Sequence, residues 1–255
     1  MLLAIDIGNT NIKLGVLDGD KLRATWRMET DVHRMADEYA SILLNLIPHE
    51  HLTVSDITDV CLCTVVPPLT TTFTELSKRY FNITPLVIGA GVKSGVKIRM
   101  DNPKEVGADR IADAAAAHHL YGGPLIILDL GTATVFAVVT KEGDYIGGII
   151  ATGVATAAEA LYSHTAQLPR VDLVRPKNVI GTNTISAIQS GIIYGYASLV
   201  EGMIARIKKE LGENAKVVAT GGYSSIIAKE TNAIDVVNPD LTLIGLRLIY
   251  EMNRT

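Results

Sequence analysis

The fold of this 255-residue chain is decided by the stretch Leu2-Leu3-Ala4-Ile5-Asp6-Ile7-Gly8-Asn9-Thr10-Asn11-Ile12-Lys13. An apolar run breaks at Asp6, a turn follows at Gly8, and a second apolar run continues from Ile12 to Leu17. This pattern predicts a buried strand, a tight turn and a return strand. The glycine lets a ligand approach the backbone, and the amide and hydroxyl groups after it are donors that suit phosphate. A polar hairpin without a ligand fits this single stretch equally well.

Two charged side chains flank the predicted turn. Asp6 stands at the end of the first strand, where a carboxylate can hold Mg²⁺ through water. Lys13 follows the turn closely enough for its ammonium group to reach a phosphate. The turn is therefore a candidate site for nucleotide phosphates.

The same pattern recurs later in the chain, in the run Leu125-Ile126-Ile127-Leu128-Asp129-Leu130-Gly131-Thr132-Ala133-Thr134. Aligning Asp6 with Asp129 also aligns Gly8 with Gly131, and each copy is followed by a return strand and a third strand. Such repetition predicts a duplicated structural unit. Two phosphate turns on facing domains would clamp a nucleotide in the cleft between them. The second copy therefore favours nucleotide binding over a plain hairpin.

Strands and helices alternate after each predicted meander, which indicates an α/β fold with a mixed sheet in each half. We place the domain boundary so that residues 1–115 form the first domain and residues 116–255 the second. The predicted helices cover residues 35–47, 69–80, 111–120, 153–163, 183–211, 224–231 and 241–252.

Composition excludes several classes of protein. The formal net charge of −4 gives no basic surface, which argues against nucleic acid as the main partner. No apolar run approaches the roughly 20 residues of a membrane span, and the N-terminal residues do not form a signal peptide. The two cysteines, Cys61 and Cys63, alternate along one predicted strand and are expected to be small core side chains rather than zinc ligands. We expect a cytoplasmic globular protein with reduced cysteines.

The densest polar segment outside the turns is Asp101-Asn102-Pro103-Lys104-Glu105-Val106-Gly107-Ala108-Asp109-Arg110. Gly107 and Ala108 are small and let a ligand come close. Asp109 also suits the positive end of the following helix, so an ordinary helix start explains it in isolation. A phosphoryl-transfer enzyme, however, needs a carboxylate to orient and deprotonate the acceptor hydroxyl. Asp109 is the best-placed acidic residue for that role.

The long helix predicted over residues 183–211 begins at Asn183-Thr184, which reads as an N-cap. It carries more apolar surface than one small domain needs. A buried dimer face is the interpretation we adopt.

In order and spacing these segments resemble the type III pantothenate kinases, and the resemblance covers essentially the whole chain. The segments that carry it are Asp6-Ile7-Gly8-Asn9-Thr10, Asp101-Asn102-Pro103, Val106-Gly107-Ala108-Asp109-Arg110, Asp129-Leu130-Gly131-Thr132-Ala133-Thr134, Ile180-Gly181-Thr182-Asn183-Thr184 and Ala219-Thr220-Gly221-Gly222.

The resemblance implies two ribonuclease H-like domains of the actin and sugar-kinase superfamily, assembled as a homodimer. It implies ATP-dependent phosphorylation of pantothenate, the first step towards coenzyme A, with Mg²⁺ and a monovalent cation such as K⁺ or NH4⁺. Asp109 would be the proton acceptor, Asp6 would position Mg²⁺ and Asp129 would bind the monovalent cation. Pantothenate would contact Gly107, Ala108, Asp109, Arg110 and, from across the dimer interface, Thr184. The ATP phosphates would contact Asp6, Ile7, Gly8, Asn9, Thr10, Asn11, Ile12, Lys13 and Thr132.

Four positions depart from the family pattern. Met100 stands where many members carry tyrosine, Thr152 where a proline is frequent, Thr182 where lysine or a similar residue is frequent, and Val135 where threonine is common. We expect these departures to affect the affinity for substrates more than the chemistry, because Asp6, Asp109 and Asp129 are all present.

Two alternatives remain at this stage. A sugar or acyl kinase of the same superfamily would share both turns but has no reason to carry the segment from Asn102 to Arg110. A nucleotide-binding accessory regulator would be expected to have lost at least one of Asp6, Asp109 and Asp129.

Overall fold

The computed structural model describes residues 1–254. The chain divides into two compact units. The first unit contains Met1–Lys97, Asp101–Ala116 and the C-terminal segment from Leu241. The second unit contains Ile98–Met100 and Ala117–Asp240.

The first unit is built on a five-stranded sheet in the order β3-β2-β1-β4-β5. The central strand β1 pairs antiparallel with β2 and parallel with β4. The unit also contains three helices, and single 3-10 turns lie at Ile47–Glu50, Val54–Asp56 and Pro103–Glu105. The elements are β1 (Leu2–Ile7), β2 (Asn11–Asp18), β3 (Lys21–Glu29), α1 (Ala36–Leu46), β4 (Asp59–Thr64), α2 (Pro67–Phe81), β5 (Leu86–Val87) and α3 (Ala108–Tyr121). From Ala117 onward, the residues of α3 belong to the second unit.

Successive side chains of β1 point to opposite faces of the sheet, and both faces are covered. Leu3, Ile5 and Ile7 pack in the cluster that contains side chains of α1 and α2. Leu2 and Ala4 pack in a second cluster on the other face. Each fully buried Leu or Ile contributes about 1.5–3 kcal/mol. The strand is thereby held rigidly, and its polar end at Asp6 is presented from a fixed support.

The second unit repeats this plan. Its five-stranded sheet has the order β10-β9-β6-β7-β8, with β6 antiparallel to β7 and parallel to β9. Each sheet therefore has a meander of three strands followed by two parallel additions, which is the ribonuclease H-like arrangement. The predicted duplication and α/β class are confirmed. The elements are β6 (Leu125–Leu130), β7 (Ala133–Val139), β8 (Tyr145–Thr152), α4 (Val154–Ser163), α5 (Thr184–Leu211), β9 (Lys216–Thr220), α6 (Ser224–Ile227) and β10 (Val236–Val237).

Two sequence-based expectations differ from the structure. The predicted helix over 224–231 ends at Ile227, because the next amides, those of Lys229 and Glu230, bond three residues back rather than four. The last helix, α7 (Leu241–Asn253), packs with the first unit, whereas the predicted domain division assigned it to the second. Its side chains Leu243, Leu246 and Ile249 complete the cluster on one face of β1 and β4. Within residues 1–254, no helix is both long and apolar enough to cross a membrane.

Candidate active site

The first turn is closed by backbone bonds. The Gly8 amide donates to the Asn11 carbonyl oxygen at 3.1 Å. Thr30, just after β3, makes two further hydrogen bonds to the turn. Its hydroxyl donates to the Gly8 carbonyl oxygen at 2.7 Å, and its amide donates to the Thr10 carbonyl oxygen at 3.1 Å. Asn9, Thr10 and Asn11 are exposed. The turn is thus preformed, with its polar side chains directed away from the core.

Two members of the predicted ATP-binding stretch have buried side chains. Ile7 and Ile12 are fully buried in the core cluster of the first unit. Any contact they make with a nucleotide must therefore come from their backbone groups. Sequence reasoning named the positions but did not separate backbone from side-chain contacts.

Asp6 is partly buried near the end of β1. The Cys63 thiol, on the neighbouring strand β4, donates to Asp6 Oδ1 at 3.3 Å. Burial, followed by the negative charge of Asp109, raises the pKa of Asp6 to about 6. The Cys63 hydrogen bond and the Lys13 charge act in the opposite direction. The surroundings of Asp6 therefore disfavour its ionised form unless a cation lies nearby.

Asp109 lies in the first turn of α3. Its negative charge raises the pKa of both Asp6 and Cys63. Asp109 Oδ1 accepts a hydrogen bond from the Arg110 amide at 2.8 Å. A Cβ atom on Gly107 would stand 2.4 Å from the same oxygen. Glycine at 107 is therefore required for the carboxylate to adopt this position.

The loop before Asp109 is held mainly by local bonds. Asn102 caps the short 3-10 turn by accepting the Lys104 amide at 3.3 Å and donates to Glu105 at 2.8 Å. Residues 101–105 are exposed, whereas Val106 is buried and attaches the end of the loop to the unit.

The second turn, in the second unit, is one residue shorter than the first: Leu130 pairs with Thr134, whereas Ile7 pairs with Ile12. The Gly131 amide donates to the Ala133 carbonyl oxygen at 3.0 Å, and Thr132 is exposed. The Thr156 hydroxyl donates to the Thr132 carbonyl oxygen at 2.9 Å. A Cβ on Gly153 would stand 2.2 Å from that oxygen, so the glycine before α4 allows the helix to begin directly against the turn.

Asp129 ends β6 as Asp6 ends β1. Its carboxylate lies against the backbone of Gly221, where a Cβ would stand 2.3 Å from Oδ1. Gly221 has a φ of +88°, a conformation that glycine adopts without strain. Gly221, directly after β9, therefore lies against the Asp129 carboxylate.

Thr184 is the first residue of α5 and is exposed. The Asn183 side chain accepts the Ser186 amide at 2.9 Å, which confirms the predicted N-cap. The structure thus places the predicted site residues in three groups: Asp6 with Asp109 in the first unit, and Asp129 and Thr184 in the second.

Sequence reasoning missed two residues of the first group. Cys63 was interpreted only as a core side chain, and it is buried, but its thiol also contacts Asp6. Thr30 supports the turn from the end of β3 and carried no signal in the sequence. The pairing of Asp6 opposite Cys63 follows from the parallel register of β1 and β4, which the order of elements alone does not give.

A duplicated ribonuclease H-like fold with a glycine turn after the first strand of each unit is the architecture of actin-like kinases. Comparison of the sequence narrows this class. Residues 2–206 match the profile described as type III pantothenate kinase, and the chain belongs to that family.

A relative of high identity supports this assignment, and two solved structures share the fold. A type III pantothenate kinase of Dehalococcoides mccartyi strain CBDB1 is 55% identical over 253 residues, which are 99% of this chain and 96% of the relative. Component A of (R)-2-hydroxyglutaryl-CoA dehydratase from Acidaminococcus fermentans has a TM-score of 0.58 at 13% identity, over 99% of both chains. The inorganic polyphosphate/ATP-glucomannokinase of an Arthrobacter strain has a TM-score of 0.52 at 14% identity, also over 99% of both. The two structures are similar in fold alone.

Proposed function

We propose that this chain transfers the γ-phosphoryl group of ATP to the primary hydroxyl of pantothenate, with Asp109 as the proton acceptor. The observation that carries the proposal is the position of the segment before Asp109 at the end of the central strand. A Cβ on Gly107 would stand 3.6 Å from the Val65 side chain, and the Val65 amide donates to the carbonyl oxygen of Ile7, the residue after Asp6, at 3.1 Å. The hydroxyl oxygen attacks the γ-phosphorus in line, the bond to the ADP oxygen breaks, and the hydroxyl proton passes to Asp109. Amide and side-chain donors of the turn neutralise the charge that develops on phosphate.

The residues around Asp6 fit a magnesium ion held largely through water. Asp6 is partly buried and feels the negative charge of Asp109, and this repulsion falls when a cation binds. Among residues 1–254, no three His, Cys, Asp or Glu side chains lie close enough to ligate a metal by themselves. Magnesium commonly takes one or two carboxylates, with water and substrate phosphates as its other ligands. When bound, it would neutralise phosphate charge, and Asp6 would orient its water ligands.

We assign a monovalent cation, K⁺ or NH4⁺, to Asp129. The support for this assignment is the position of Asp129, which corresponds to that of Asp6 in the repeat and lies against the backbone of Gly221. Thr132 is exposed on the same turn and is the proposed contact for an ATP phosphate.

We further propose a homodimer that forms through the second unit. Val179, Ile180 and Ile185 are 67%, 84% and 51% exposed, close in sequence to the proposed pantothenate contact Thr184. A shallow groove lined by small residues of β8, α4 and α5, including Ala151, Ala157 and Gly191, lies in the same unit. A second copy would cover this apolar surface. We place the enzyme in the cytoplasm, whose reducing conditions suit the two free cysteines.

The decisive experiment is a coupled assay of ADP release with and without pantothenate, in buffers containing either K⁺ or Na⁺. We expect release to require pantothenate and to be faster with K⁺. Asp109→Asn is expected to lower kcat by about 10²–10⁴, the usual contribution of a general base. Asp18→Asn, which changes an exposed aspartate at the end of β2, serves as the control. Pantothenate-independent hydrolysis, or near-normal turnover by Asp109→Asn, would overturn the proposal.

A further inference from the structure

The segment Ile98–Met100 is attached to the second unit, although the residues on both sides of it belong to the first. Ile98 forms a parallel bridge with Tyr145, the first residue of β8. The Arg99 amide donates to the Tyr145 carbonyl oxygen at 2.7 Å. The Arg99 Nε donates to Asp144 Oδ2 at 2.8 Å. Backbone and side chain together fix this segment to the turn that joins β7 and β8.

That turn, residues 140–144, is itself rigid. The Thr140 amide donates to the Asp144 carbonyl oxygen at 2.9 Å, and the Asp144 amide donates to the Thr140 hydroxyl at 3.2 Å. Gly143 has a φ of +88° and lies against the ring of His118. The Asp144 side chain is only 22% exposed. The partner of Arg99 is therefore held in place before the ion pair forms.

A second anchor reaches the same turn from α3. The Nε2 atom of His118 lies 3.0 Å from the Lys141 carbonyl oxygen. Because a carbonyl oxygen only accepts, Nε2 carries the proton and donates. Helix α3 contains Asp109 and Arg110 in its first turn and His118 towards its other end. We call residues 101–110 the acceptor segment. Arg99 before this segment and His118 after it both contact the turn of residues 140–144.

We propose that the turn of residues 140–144 positions the acceptor segment, with Arg99 and His118 as positioning residues that set the affinity for pantothenate. This inference rests on the proposed function, which assigns pantothenate to Gly107–Arg110. Residues 101–105 are exposed and bond chiefly to one another. Such a loop depends on its fixed ends for its conformation. Releasing one end adds conformational freedom that substrate binding must then remove.

The ion pair is tested by Arg99→Ala, Asp144→Ala and the double variant. Measured exposed pairs correspond to a factor of about two to five in an equilibrium constant. We expect KM for pantothenate to rise by that factor, with kcat and KM for ATP unchanged. The double variant should resemble either single variant, and Arg99→Lys should restore part of the affinity. His118→Ala should have a smaller effect in the same direction, because Val106 and the buried residues of α3 also hold that end of the segment.

A matched control is Arg79→Ala, which removes an exposed pair to Asp37 of the same 2.8 Å length on α1 and α2. Hydrogen exchange of the backbone amides of residues 101–107, measured without substrate, gives a readout independent of the reaction. We expect faster exchange in Arg99→Ala and unchanged exchange in Arg79→Ala. Unchanged exchange in Arg99→Ala, or an equal rise in KM for ATP, would overturn the inference. A parent protein that does not phosphorylate pantothenate would refute the proposed function, while the exchange comparison would still decide the role of the turn.

Discussion

Replacing Asp6 with asparagine should make the protein more stable and inactive. In the folded state, burial and the charge of Asp109 raise the pKa of Asp6 from 3.8 to about 6. Each pKa unit corresponds to about 1.4 kcal/mol, so holding Asp6 ionised costs the folded protein up to about 3 kcal/mol at neutral pH. Asparagine has nearly the same shape, carries no charge and can accept the Cys63 thiol proton. The free energy of unfolding should therefore rise by about 1–3 kcal/mol at pH 8.

The same reasoning fixes the pH dependence. Between about pH 4 and pH 6 the folded state binds more protons at Asp6 than the unfolded state, so stability falls as the pH rises through this window. The asparagine variant lacks this contribution. Its advantage over the parent should be greatest above pH 7 and should shrink towards zero near pH 4.

The assay is urea unfolding of both proteins at several pH values in EDTA, with no nucleotide present. Asp18→Asn, at an exposed position, should stay within about 0.5 kcal/mol of the parent throughout. Loss of kinase activity is expected in Asp6→Asn, because its amide cannot replace a carboxylate near Mg²⁺. A variant less stable than the parent at pH 8, or a stability difference that does not change with pH, would refute the reasoning.

Two further predictions concern the second unit. Gly221→Ala places a Cβ 2.3 Å from Asp129 Oδ1 at a φ of +88°; it should lower the free energy of unfolding by about 2–4 kcal/mol in urea titrations. Gly222→Ala, where a Cβ meets nothing within 4 Å, is its control, and equal losses would contradict the packing argument. Ile180→Glu, which charges a side chain that is 84% exposed, should shift the protein from dimer to monomer in sedimentation velocity. Val32→Glu in the first unit should not, and a parent that is already monomeric at micromolar concentration would exclude the proposed interface.

Much of the fold was predictable because the pattern of strand, aspartate and glycine turn occurs twice in the sequence. The apolar runs before Asp6 and Asp129 and the glycine turns after them gave the central strands and meanders of both sheets. Helix limits set by local chemistry were also close to the prediction. For example, α2 begins at the proline pair Pro67–Pro68, where missing amides cost nothing.

What the sequence could not give depends on contacts between distant residues. Helix α7 follows the second unit in the chain, and only its packing against Leu2 and Cys61 assigns it to the first. Cys63 becomes part of the candidate site through the register of a parallel pairing with β1. The anchoring of Arg99 depends on the position of a turn more than forty residues away. Periodicity and turn signals are local and carry no information about such pairings.

The division of the first unit over three stretches of chain has a consequence for synthesis on the ribosome. All of the second unit and most of the first have been translated before α7 emerges. Until then the face of β1 and β4 that carries Leu2 and Cys61 lacks Leu243, Leu246 and Ile249. The unit whose synthesis begins first is therefore completed last, because the core around β1 lacks its final side chains until α7 has been translated.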